Sequence, residues 1–111
     1  MAADASFKSH WFYILLALAD GDRHGLAVAR EVQSLSGGAV RLWPATLYGS
    51  LDDLRSRKWI EELAEHPEEE SERKRYYRLT RGGRAVLTDE ADRLGRLSRL
   101  ARARVRTGDA R

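Results

Sequence analysis

Apolar and polar positions alternate along this chain in a way that divides it into seven segments. Trp11, Ile14, Leu15 and Leu18 recur at i, i+3, i+4 and i+7, and Phe7, Phe12 and Leu16 widen that stripe. The spacing predicts a first helix over about Phe7 to Ala19 with two buried faces. Asp20-Gly21-Asp22 supplies a helix stop. A second helix is expected from near His24 to Ser36-Gly37-Gly38, with Leu26, Ala29, Val32 and Leu35 on its inner face. Ala39 to Trp43 alternates and reads as one very short strand. Pro44 suits a first helical position, and Leu47, Leu51 and Leu54 then mark the buried side of a third helix.

Beyond Trp59 the pattern changes period. Trp59 to Glu65 mixes apolar and acidic residues in a strand-compatible way, and Lys74 to Leu79 is rich in aromatic, strand-favouring residues. Between them, His66 to Glu72 is a polar turn containing Pro67, so the two strands form a hairpin. Thr80 is placed to cap a last helix from Arg81 to about Arg106. Its apolar positions are Leu87, Ala91, Leu94, Ala101 and Val105, with Leu97 and Leu100 beside them. Three helices followed by a hairpin is the order of a winged helix-turn-helix, a mostly helical α+β fold. The expected organisation is a winged domain over 7–80 and a dimerisation helix over 81–106. That last helix has too broad an apolar surface to stand alone in water, and its simplest partner is its own copy.

Composition narrows the chemistry. The 111 residues suit one modest core, often completed by a second subunit in so short a chain. With no cysteine there is neither a disulfide framework nor a thiolate metal site. His10, His24 and His66 have no ligand-spaced companions, so no metal and no cofactor are expected. A nucleophile–His–acid set and a Gly-rich phosphate loop are also lacking, which argues against an enzyme. The apolar run at 11–19 is half the length of a membrane span and is not built like a signal peptide, so the expected compartment is the cytoplasm. Charge is uneven. Residues 1–70 carry 7 Lys/Arg and 12 Asp/Glu, net −5, whereas residues 71–111 carry 13 and 5, net +8. The basic portion either faces something anionic or is a solvated helix surface.

Several short stretches resemble the PadR family of transcriptional regulators. They are Ile14-Leu15-Leu16-Ala17-Leu18, His24-Gly25, Pro44-Ala45-Thr46-Leu47-Tyr48-Gly49-Ser50-Leu51, Leu54, Ile60-Glu61, Arg75-Tyr76-Tyr77-Arg78-Leu79-Thr80 and Gly83-Arg84. The resemblance implies a dimeric DNA binder, commonly a repressor, whose short members pack the first and last helices across the dimer. Trp11, Leu15, Leu87, Leu94, Leu97 and Ala101 would then form the subunit interface. Some members release DNA when a small molecule binds, and Phe7, Trp11, Tyr13, Leu94 and Leu97 are the candidates to line a site for a flat aromatic effector; the alternative is that they simply fill a core. The chain departs from the family at Leu26, where tyrosine is frequent, and at Asp52 and Asp53, where basic residues are common. The turn Glu68–Glu72 also carries four carboxylates.

Sequence readout needs side chains that reach base edges from the first turns of the third helix. Ala45, Thr46, Tyr48, Gly49 and Ser50 occupy those turns. Thr46 and Ser50 can bond base or phosphate, and Tyr48 can donate its hydroxyl to a phosphate, unless Thr46 only stabilises the helix start and Tyr48 packs inside. Arg41, Arg73, Lys74 and Arg75 are candidate phosphate clamps, or else charges that protect a strand edge. His24 either orients the start of the second helix or touches backbone phosphate, and Gly25 permits a close approach. One of Tyr76 and Tyr77 should face the core. The expected partner is duplex DNA with an inverted-repeat operator, its half-sites about 10 bp apart or a multiple of that. The alternative, motivated by the acidic turn and by Asp52 and Asp53, is a protein-interaction module with little affinity for DNA.

Overall fold

A computed structural model describes residues 7–63 and 75–109. Seven elements follow one another: α1 (Ser9–Ala17), β1 (Arg23–His24), α2 (Gly25–Leu35), α3 (Pro44–Ser56), β2 (Ile60–Glu62), β3 (Tyr76–Leu79) and α4 (Arg81–Asp109). The strands form one antiparallel sheet in the order β1-β3-β2, with Arg23 opposite Tyr77, His24 opposite Tyr76 and Glu61 opposite Arg78. This is an α+β winged helix.

The core lies where α1, α2, α3 and the sheet converge. Ile14, Leu15, Val28, Val32, Leu51 and Leu54 are completely sealed, and Tyr77 and Leu79 close the core from β3. The expected stripe of α3, Leu47, Leu51 and Leu54, is buried along its length. In α2 the inner face differs from the expected one. Val28 and Val32 carry it, while Leu26 and Leu35 are exposed, because the face is set by the close approach at Gly25.

Local chemistry fixes the boundaries. At the end of α1, Arg23 Nε donates to the Ala17 carbonyl at 2.7 Å and Arg84 to the Ala19 carbonyl at 3.3 Å. Cationic side chains thus satisfy acceptors that the helix leaves unpaired. Helix α2 ends because Gly37 and Gly38 take φ of 63° and 87°, and the Gly38 amide reaches back to the Gln33 carbonyl at 2.8 Å. Residues 39–43 form a loop rather than the expected short strand. The Val40 amide is taken by the Ser36 hydroxyl at 2.9 Å, so it is not available to a strand ladder. Helix α3 ends at Ser56, two residues before Lys58, which adopts φ 66° without being a glycine. Thr80 caps α4 as expected, accepting from the Gly83 amide at 3.0 Å while its hydroxyl donates to the Lys58 carbonyl at 2.7 Å.

Helix α4 divides in two. Its first turns pack on α1 and β3 through Gly83 and Leu87, and no described residue beyond Leu87 is buried. At 1.5 Å per residue its 29 residues extend about 43 Å, which accounts for the elongated 62 × 31 × 23 Å outline.

A candidate nucleic-acid interface on the second and third helices

The first turns of α3 present one open face. Pro44 occupies the first helical position, and Trp43 before it provides no side-chain cap. With Leu47, Leu51 and Leu54 turned inward, Ala45, Thr46, Tyr48 and Gly49 are all exposed. Four of the five expected contact residues of this helix therefore share one accessible surface.

Ser50 does not join them. It is 5% exposed and shares a 2.9 Å hydrogen bond with His10 Nε2, from 40 residues away on α1. A position three residues after Leu47 and four before Leu54 belongs to the inner stripe, so Ser50 ties α3 to α1 instead of reaching outward. Burial, reinforced by the nearby Lys8 ammonium, holds the His10 imidazole below the usual histidine pKa and keeps it neutral.

His24, Gly25, Tyr48 and Tyr76 form a continuous support for this face. His24 Nδ1 accepts from the Ala27 amide at 3.2 Å, capping α2, which is the first of its two expected roles. Its ring meets Tyr76 edge to face at 5.4 Å. A Cβ added at Gly25 would lie 2.9 Å from Tyr48 Cε1 and 3.0 Å from its hydroxyl, so the Tyr48 ring rests directly on this glycine. Tyr77, not Tyr76, enters the core; burial and the Glu62 carboxylate push its hydroxyl pKa upward.

The cations are distributed unequally. Arg41 stacks on Trp43 at 5.5 Å. Arg75, at the start of the return strand, lies 3.9 Å from Glu62, and Arg78 spans Asp22 at 3.4 Å and Glu61 at 3.7 Å. On α3, Asp52 pairs with Arg55 at 3.6 Å, and Asp53 is exposed. Arg73, Lys74 and the turn Glu68–Glu72 lie outside the described residues.

Three of the expected interface positions are buried within a single chain. Trp11 and Leu15 are 1% and 0% exposed there. Trp11 packs edge to face on Phe7 and Trp59, with Arg57 4.8 Å over its ring, because α1 buries one face against α2 and the other against α4 and this cluster. An effector reaching Trp11 would have to displace Phe7 or Trp59. Leu87 is also buried on the body, whereas Leu94, Leu97 and Ala101 are exposed along α4, and Tyr13 is half-buried.

The sequence reading missed Trp43, which at 63% is the most exposed large apolar side chain among the described residues. Its signal was present. Trp43 stands directly before the helix-initiating Pro44, and assigning 39–43 to a strand concealed its place at the helix N-cap.

The helix-turn-helix formed by α2 and α3, flanked by an antiparallel wing, defines a winged helix-turn-helix protein. Within that class the chain belongs to the PadR-like family of transcriptional regulators, whose profile matches residues 14–89. It is 40% identical over 85 residues to an uncharacterized 37.1 kDa protein in transposon TN4556 of Streptomyces fradiae. That match takes in 77% of this chain but only 23% of the relative's length. A PadR family transcription regulator from Clostridium difficile R20291 superimposes with a TM-score of 0.71 at 20% identity, over 84% of this chain and 94% of that one. BpsR of Bordetella bronchiseptica, whose DNA binding is regulated by 6-hydroxynicotinic acid, superimposes with a TM-score of 0.66 at 23% identity, over 87% and 66%. No described helix is long and apolar enough to cross a membrane, and no three metal-ligating side chains cluster among the described residues.

Proposed function

We infer that this chain is a sequence-specific DNA-binding regulator that acts as a homodimer on an inverted-repeat operator and represses by occupying it. The observation that carries this reading is the open face of α3, where Thr46 and Tyr48 point outward from a helix whose opposite side is sealed. Thr46 reads a base edge or fixes a phosphate; Tyr48, steadied by Gly25, donates to the phosphate backbone. Arg41 and Arg75 add cationic contacts, and residues 7–80 serve as the reading domain. Residues 81–106 form the dimerisation helix, in which Leu94, Leu97 and Ala101 pair with their copies to remove the exposed stripe from water. A small aromatic effector releasing the complex is the finer part of the proposal. It is supported by the regulation of BpsR by a hydroxylated pyridine carboxylate and by the apolar seam that two copies of α4 would create.

Anisotropy titration against genomic duplex fragments tests the reading. One preferred fragment should be bound by two chains, and Thr46→Ala with Tyr48→Phe should weaken that complex by about 1–3 kcal/mol. Affinity that is uniform over all fragments at moderate salt would refute it and favour a protein-interaction role.

A further inference from the structure

The surface around Trp43 has a second property that the contacts assigned above do not use. Trp43 and Leu26 stand 63% and 52% exposed on either side of a groove between α2 and the start of α3, with Tyr48 on the same rim. Three large apolar side chains are thus exposed together on this face and available to an apolar contact. The groove's surroundings define the occupant's charge. Arg30 and Arg41 line it and no carboxylate does. The N-terminal end of α3, which begins at Pro44, also lies here, without an acidic residue in its first turn. An apolar feature held between cations and a helix N-terminus suits an apolar group carried on a polyanion, and duplex DNA, the partner proposed above, offers one in the thymine methyl.

We propose that the Trp43 indole is a specificity determinant that packs on the 5-methyl group of a thymine in each operator half-site. The proposal rests on the DNA-binding reading given above. In the major groove the thymine methyl is the sole apolar feature a base edge offers, and side chains that read it make no hydrogen bond to it. Trp43 sits at the N-cap of the helix that enters that groove. Its ring is fixed on one side by the Arg41 guanidinium at 5.5 Å, and it is carried on backbone immobilised by Pro44. Arg41 is thereby positioned to neutralise the adjacent phosphate while it keeps the indole upright. The inference also accounts for Leu26. A leucine where a hydroxylated side chain would address phosphate extends the apolar floor on which the same methyl-bearing strand can rest.

The test begins with selection of preferred duplexes from a random library by the full chain, followed by replacement of each selected thymine with deoxyuridine, which removes only the methyl. One thymine per half-site should show a loss of about four-fold, the equivalent of one buried methyl(ene) group. Trp43→Ala should abolish the distinction between thymine and deoxyuridine at that position alone, and Trp43→Phe should retain part of it. Because Trp43 is mostly exposed, the Ala variant should keep the wild-type unfolding midpoint. If the selection recovers no preferred sequence, the DNA-binding reading itself fails. A preferred sequence insensitive to deoxyuridine at every position, or a Trp43→Ala loss equal on all duplexes, would overturn the role of Trp43 while leaving that reading intact.

Discussion

Helices α3 and α4 carry nearly the same apolar rhythm and come to opposite ends. In α3, Leu47, Leu51 and Leu54 recur at i, i+4 and i+7 and are at most 3% exposed. In the outer part of α4, Leu94, Leu97, Ala101 and Val105 recur at similar steps, yet the leucines stand 40% and 44% exposed and Val105 62%. Amphipathic spacing states that a face must be covered; it does not state by what. The difference lies in topology. Helix α3 is enclosed by α2 and β2 of its own chain, whereas α4 runs past the last element that could pack on it.

The largest effect that would sharpen this contrast is at the root of α4. A Cβ at Gly83 would lie 1.9 Å from the Trp59 carbonyl oxygen and 2.8 Å from Leu79 Cδ1, a clash with backbone that cannot swing aside. Gly83→Ala should therefore lose on the order of 3 kcal/mol or more in urea unfolding. At Gly95 in the outer part, the same change meets only the flexible Arg99 guanidinium at 3.5 Å and should gain up to about 1 kcal/mol from helix propensity. Equal costs at the two glycines would break the comparison.

Next in size is the pair Leu94→Asp with Leu97→Asp. It should shift the species seen by light scattering from dimer to monomer while the far-ultraviolet signal of the winged body persists. Persistence of a dimer would mean that the stripe on α4 is not the seam. A gain of roughly 1 kcal/mol is expected for Lys58→Gly, since Lys58 holds a left-handed backbone that glycine adopts without penalty. Loss of stability in that variant would show that the Lys58 side chain, rather than its backbone, matters to the end of α3.

The smallest effect concerns His10, which is only partly buried. Its pKa is lowered in the folded chain, so the unfolded chain binds the proton more readily. The stability it contributes is present above the ordinary histidine pKa of 6.5 and is lost as pH falls from that value through the lowered folded one. Denaturant midpoints between pH 7.5 and 5.5 should fall less steeply in His10→Gln than in the parent.

Much of the fold was readable from local chemistry. Pro44 starts α3, Thr80 caps α4, and the paired glycines end α2, each because one residue type satisfies a local backbone need. The candidate site was readable in part. Thr46 and Tyr48 were legible as exposed, and the helical wheel that buries Leu47 and Leu54 also places Ser50 inward, a signal overridden by the motif. Strand β1 was not legible. Its two polar residues have no period, and they are a strand only because β3 pairs with them. The internal burial of Trp11 and Leu15 was equally hidden, since an apolar stripe alone does not distinguish a core from a subunit seam.

The junction at Thr80 joins the wing strand to the longest helix with no linker between them. Such a beam, clamped at one end, works as a lever. A tilt of about 10° at its root displaces the far tip by roughly 7 Å, near two base-pair steps of duplex. In the proposed dimer, whatever sets the crossing angle of two such beams would also set the spacing of the two reading heads, and with it which operators both could grip at once.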